Sequence, residues 1–182
     1  MLAALIRVVP FLIVFVVFSI RVRQGRISKA DLGWQRPNSW PAATGWWILF
    51  AALAVSVELV LHHYGKLELG GFKHSGFPAA LRIVGMILLA PVAEELLFRG
   101  LFLSWLTRLL KKPHVAVAIQ AVAFVLVHNF TYAGTFSGTV AIFQTFVDAC
   151  LFAYARRSTG SIFVPMAMHI TGNSIAVAEM LI

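Results

Sequence analysis

Between residues 79 and 103 the chain is almost continuously apolar, yet the run contains "PVAEELLFRG", which places Glu94, Glu95 and Arg99 well inside it. A stretch of that length reads as a membrane span, and in a bilayer only α-helices and closed barrels satisfy every backbone N–H and C=O. The run is continuous rather than alternating, so a helix is expected, and that helix must hold three charges in lipid. Five further runs, 2–20, 45–61, 114–130, 139–155 and 161–182, complete an expected all-α, polytopic transmembrane helix bundle of about six spans. They are separated by short breaks such as "KKP" and "RRSTG". With 60% hydrophobic residues, 12% charged residues and a mean hydropathy of +0.86, the composition is that of a membrane protein.

The formal charge of +8 is not the mark of a nucleic-acid partner, because the basic residues gather at the ends of apolar runs. Arg21, Arg23, Arg26, Lys29 and Arg36 follow the first run, Arg108, Lys111 and Lys112 the third, and Arg156 and Arg157 the fifth. Only Arg7, Lys66, Lys73 and Arg82 belong to the opposite side. The positive-inside rule then directs both termini away from the cytoplasm. Trp34, Trp40, Trp46 and Trp47 suit an interfacial belt, and the single Cys150 reads as packing. The first run has Arg7 ahead of an apolar core, but "SIRVRQGR" stands where a cleavage site would need small residues, so a retained helix is expected.

Three unpaired charges at a helix centre would cost roughly 8–10 kcal/mol, at about 2.5–3.5 kcal/mol each. Residues four apart share a helical face, so Glu95 and Arg99 can pair, while Glu94 points about 100° away and stays available. Two other runs bring partners to the same layer. "FVLVH" ends at His128, and "HITGN" spaces His169 and Asn173 for one face. Counted from the basic helix ends, Glu94 lies roughly 15 Å deep, His128 about 21, His169 about 12 and Asn173 about 18.

A carboxylate, two imidazoles and an amide form a hydrolytic set: one group can take a proton from water and others can donate to a developing oxyanion. No HExxH is present, and the positions four from either histidine hold Tyr132, Phe124, Pro165 and Asn173, so a helical zinc pair is absent. Zinc held by Glu94, His128 and His169 from separate helices stays open, although no cofactor is expected. An aspartyl pair is disfavoured, since the aspartates are Asp31 and Asp148. Glu58, Asp148 and Glu179 read as structural or snorkelling, and His62, His63 and His74 as solvated loop residues.

The ordered set "EELLFR", "FVLVH" and "HITGN" resembles the EExxxR, FxxxH and HxxxN/D pattern of the CAAX prenyl protease and bacteriocin-processing (CPBP/Abi) family of intramembrane proteases, which includes the Rce1-like enzymes. The resemblance covers residues 79–182 and divides the chain into accessory helices, 1–78, and a catalytic core, 79–182. It implies that Glu94 and His128 activate water, that His169 and Asn173 stabilise the oxyanion, and that Glu95 and Arg99 support the site. It further implies a membrane-anchored protein or peptide substrate in a lipid environment, and the shortness of the chain points to a bacterial cytoplasmic membrane. The competing readings are a non-catalytic scaffold or bacteriocin immunity protein and, disfavoured by the lack of repeats, a proton-coupled transporter.

Overall fold

The computed structural model describes residues 2–64, 76–128 and 134–181, so the expectations for Lys66, Lys73 and His74, and for the ends of two runs at 129–130 and 182, lie outside the described residues. The helices are α1 (Leu2–Arg23), α2 (Lys29–Leu32), α3 (Trp40–His63), α4 (Gly76–Leu110), α5 (Pro113–Leu126), α6 (Phe136–Thr159) and α7 (Phe163–Leu181). No strand occurs among the described residues, and each of the six expected runs corresponds to a helix. α3, α4 and the stretch Gly138–Thr159 of α6 are long and apolar enough to cross a bilayer.

The helices overrun the hydropathy boundaries because caps, not apolarity, set their ends. Ser39 accepts from Ala42 N at 3.3 Å to start α3, with a proline in its first turn, and Thr135 accepts from Gly138 N at 3.0 Å to start α6. Two helices do not: α7 starts at Phe163, two residues after the expected 161, and α5 stops at Leu126, short of the expected 130. Its 14 residues rise about 21 Å, less than a hydrocarbon core of about 30 Å.

Large apolar side chains cover the outside, among them Ile13 and Val16 on α1, Leu53 and Leu59 on α3, and Val122 and Leu126 on α5. A continuous apolar exterior of this kind is matched to lipid. The charged and amide groups Glu95, Arg99, Gln120 and His169 are instead buried inside. α3 lies against α7 closely enough that a Cβ on Gly172 would come within 3.0 Å of Phe50, so the glycine of "HITGN" is there for close approach.

The segment between α1 and α3 is more than a basic connector. α2 tucks Leu32 beside Leu96, Ile162 and Met166, and the backbone around it is tied to the α6–α7 turn by Asn38 N to Thr159 O (2.9 Å) and Ile162 N to Gly33 O (2.9 Å). Asp31 receives Arg108 Nη1 at 3.0 Å on Oδ1 and Arg156 Nη2 at 3.3 Å on its carbonyl. The basic segments after the first, third and fifth expected spans therefore meet at one end of the bundle. Trp46 and Trp47 do more than line an interface: their indole N–H groups donate to Ser158 Oγ (2.7 Å) and Thr171 Oγ1 (2.9 Å), fastening α3 to α6 and α7. Trp40 stays 63% exposed and fits the belt reading.

Candidate active site

α4 is not a uniform helix. Gly85–Leu89 and Leu96–Phe102 are π-helical turns on either side of Ala90–Glu95. The first follows from Pro91, which has no N–H to give and whose ring clashes with a regular preceding turn. Ala90 N–H reaches back five residues to Gly85 O, and the π-type donor for Met86 O would be the nitrogen of Pro91. Pro91 thus removes the π-type donor of Met86 O, and Asn173 Nδ2 donates to that carbonyl from α7 at 2.7 Å. The amide keeps a second N–H for another acceptor.

Between the two π turns, the adjacent glutamates diverge as helical geometry requires. Glu95 is fully buried, and its Oε1 accepts from Arg99 Nη1 at 2.8 Å and from His169 Nδ1 at 2.9 Å. Glu94, with 22% of its side chain exposed, faces both imidazoles: its Oε2 lies 3.9 Å from His128 Nε2 and 3.7 Å from His169 Nε2. His128 lies just beyond α5, its N–H bonded to Val125 O at 3.0 Å and its Nδ1 2.6 Å from Phe124 O.

These contacts assign the tautomers. A carbonyl and a carboxylate paired with arginine can only accept, so both Nδ1 atoms carry hydrogen. In each neutral ring Nε2 then carries a lone pair, 3.9 Å (His128) and 3.7 Å (His169) from Glu94 Oε2.

Arg99 is also fully buried. Besides Glu95 it reaches Ala149 O at 3.4 Å, and its guanidinium carbon lies 4.3 Å from the Phe124 ring centroid and 5.2 Å from that of Phe152. Phe124 packs against both histidines, at 4.5 Å for His128 and 5.9 Å for His169. Asp148, one residue before Ala149, is near enough to interact with the charges of Arg99 and His169. The polar centre is thus drawn from α4, α6 and α7 and the end of α5, with aromatic rings walling its Arg99 side.

Residues 76–175 match the family model described as Type II CAAX prenyl endopeptidase Rce1-like. The chain belongs to this family. The matched segment of this Rce1-like protein contains Glu94, Glu95, Arg99, His128, His169 and Asn173, and it leaves α1 to α3 outside. The family is one of CAAX-type proteases, and the protein is an integral membrane one with an all-α bundle. No curated protein and no solved structure matches the chain significantly.

Ligand atoms on one tetrahedral zinc would stand roughly 3.3–3.4 Å apart for bonds of about 2.0–2.1 Å. The Glu94 to imidazole separations of 3.9 and 3.7 Å are longer. Among the described residues no group of three or more His, Cys, Asp or Glu has the spacing of metal ligands.

Two participants carry no sequence signal of their own. Met86 takes part through its carbonyl, legible only once Pro91 is seen to remove a donor, and Phe152 looks like any phenylalanine of an apolar helix although its ring lies 5.2 Å from that of His169. Glu58 and Glu179, expected to be structural or to snorkel, bring their carboxyl groups near enough to interact between α3 and α7.

Proposed function

We propose that this protein is an intramembrane endopeptidase that hydrolyses a peptide bond in a membrane-associated or lipidated protein or peptide precursor. Glu94 and His128 activate the water, and His169 and Asn173 stabilise the oxyanion. The observation that carries this reading is the approach of both Nε2 atoms to Glu94 Oε2 at 3.9 and 3.7 Å.

Glu94 and His128 present acceptors to each other, and a water between them satisfies both by donating its two hydrogens. The water oxygen attacks the peptide carbonyl carbon, Glu94 takes the proton, and that proton passes to the departing amine as the C–N bond breaks. Charge develops on the former carbonyl oxygen. The second N–H of Asn173 is available to it, and so is Nε2–H of His169 when that ring is an imidazolium. Arg99 and Glu95 position His169 without touching substrate: the guanidinium fixes the carboxylate, and the carboxylate fixes Nδ1.

In this mechanism no metal is required, so dialysis against a chelator leaves activity unchanged; loss of activity restored by zinc would replace it with a zinc hydrolase on Glu94, His128 and His169. Helices α1 to α3 act as accessory elements, with the basic end at the cytoplasmic face of a bacterial cytoplasmic membrane.

The test compares peptide termini in membranes and medium of cells carrying wild-type protein or Glu94→Gln at matched expression. Termini that vanish in Glu94→Gln, and fall about 10²-fold or more in His128→Ala, are expected of a general base pair. Identical termini in all three would overturn catalysis in favour of a binding role.

A further inference from the structure

At the end of the bundle where the basic segments meet lies an open cavity of about 340 Å³, bordered by Asp31, Arg99, Thr107, Arg108, Arg156 and Arg157. It lies apart from the Glu94 centre and shares only Arg99 with the residues assigned to that site. Three of its polar atoms, Arg99 Nε, Thr107 Oγ1 and Arg156 Nε, are buried and find no hydrogen-bond partner among the described residues. Arg99 is 0% exposed and borders this cavity.

The charges point the same way. The Arg99 charge is met by Glu95, and the remaining three guanidinium groups face one carboxylate, Asp31, whose Oδ1 is taken by Arg108 at 3.0 Å. Arg156 is held in place rather than loosely suspended. Its Nη2 donates to Asp31 O at 3.3 Å, and its guanidinium lies where a Cβ on Gly33 would be, a position kept clear by a left-handed glycine at φ +69. The lining therefore offers several fixed donors with net positive charge, in a space larger than a single water or halide fills. Tetrahedral oxyanions with several acceptor oxygens are what clustered guanidinium groups recognise.

We infer that this cavity binds a phosphate-class anion on Arg99, Thr107 and Arg156. A membrane supplies that chemistry as a phospholipid headgroup, and the aqueous phase supplies it as free phosphate. Occupancy places an acceptor on the Nε edge of the guanidinium whose Nη1 holds Glu95. The inference rests on the cavity and its donors, and stands whether or not the Glu94 centre hydrolyses peptides.

The experiment follows thermal unfolding of the full chain by tryptophan fluorescence in phosphatidylcholine nanodiscs, with phosphatidylglycerol added to the bilayer or inorganic phosphate added to the buffer. A ligand of the folded state raises Tm with a saturable dose dependence. Arg156→Gln is expected to weaken the apparent affinity about tenfold or more, and Thr107→Val several-fold, as befits losing one charge-assisted or one neutral hydrogen bond. Arg23→Gln, a change in α1 away from the cavity, retains the wild-type response.

A response to phosphatidylglycerol alone identifies the headgroup as the source, and a response to phosphate alone identifies the free anion. No response to either overturns the inference. So does a response equal in wild type, Thr107→Val and Arg156→Gln, which would reflect general surface attraction. Should Arg156→Gln fail to fold, Thr107→Val decides alone, because it removes a hydroxyl at nearly constant volume.

Discussion

Arg99→Met keeps most of the side-chain stem and deletes the charge, which isolates what the buried guanidinium does. In the intact protein it meets Glu95 Oε1 at 2.8 Å, and both residues are fully buried. Unit charges at that separation attract by about 6 kcal/mol at an effective dielectric of ~20. Desolvation offsets much of this in the pair, so removing one partner chiefly measures the carboxylate left behind, about 3–5 kcal/mol. Loss of the contacts with Phe124 and Phe152 adds roughly 1–2 kcal/mol. Neutralising the stranded partner reverses most of the first term, so Glu95→Gln combined with Arg99→Met is expected to be more stable than Arg99→Met alone by about 2 kcal/mol. The assay is denaturant unfolding in one mild detergent, read by tryptophan fluorescence for wild type, both single variants and the double. A single-variant loss below about 1 kcal/mol, or a double variant no more stable than Arg99→Met, would refute the view that Glu95 is a charge matched by Arg99.

Asn173→Leu strands Met86 O and should cost about 1–3 kcal/mol. In a Pro91→Ala background, where a backbone N–H returns, the same change should cost under about 1 kcal/mol, and equal losses in the two backgrounds would contradict the capping role. Gln120 is 0% exposed with neither amide atom partnered among the described residues, so Gln120→Leu is expected to stabilise by about 1–2 kcal/mol in the same unfolding assay. Gly33→Ala forces φ +69 on an alanine and drives its Cβ into the Arg156 guanidinium, so a loss of more than about 1–2 kcal/mol is expected, visible as a lower Tm.

Hydropathy made the helices legible because each buries its backbone bonds within itself, and the i, i+4 rule separated Glu95 from Glu94 before any coordinates. What that rule could not convey is the second partner of Glu95. His169 lies 74 positions along the chain, and its bond to Glu95 depends on how α7 packs against α4. The end of α5 was also beyond reach. Continuous apolarity predicts helix to residue 130, whereas His128 is held outside the helix by Val125 O and Phe124 O. The role of segment 24–39 was hidden for a different reason: its basic residues speak to topology alone, whereas Leu32 and the backbone of Gly33 seal the bundle end.

The pairing of Glu94 with Glu95 has a geometric logic that neither residue has alone. The two nitrogens of an imidazole lie on different edges of the ring, so one histidine can touch two carboxylates only if they approach from different directions. Neighbouring residues on a helix, about 100° apart, supply those directions. His169 fills the gap, with Nδ1 at 2.9 Å from Glu95 and Nε2 at 3.7 Å from Glu94. Because Arg99 binds the Glu95 side, that edge is charge-matched and dry, while the Glu94 edge is left at the level where 22% of its side chain is exposed. A single aspartate or glutamate in this helix could have been neutralised by the arginine and become inert. Two adjacent ones divide the tasks, and the arginine determines which of them remains for the water proposed to attack.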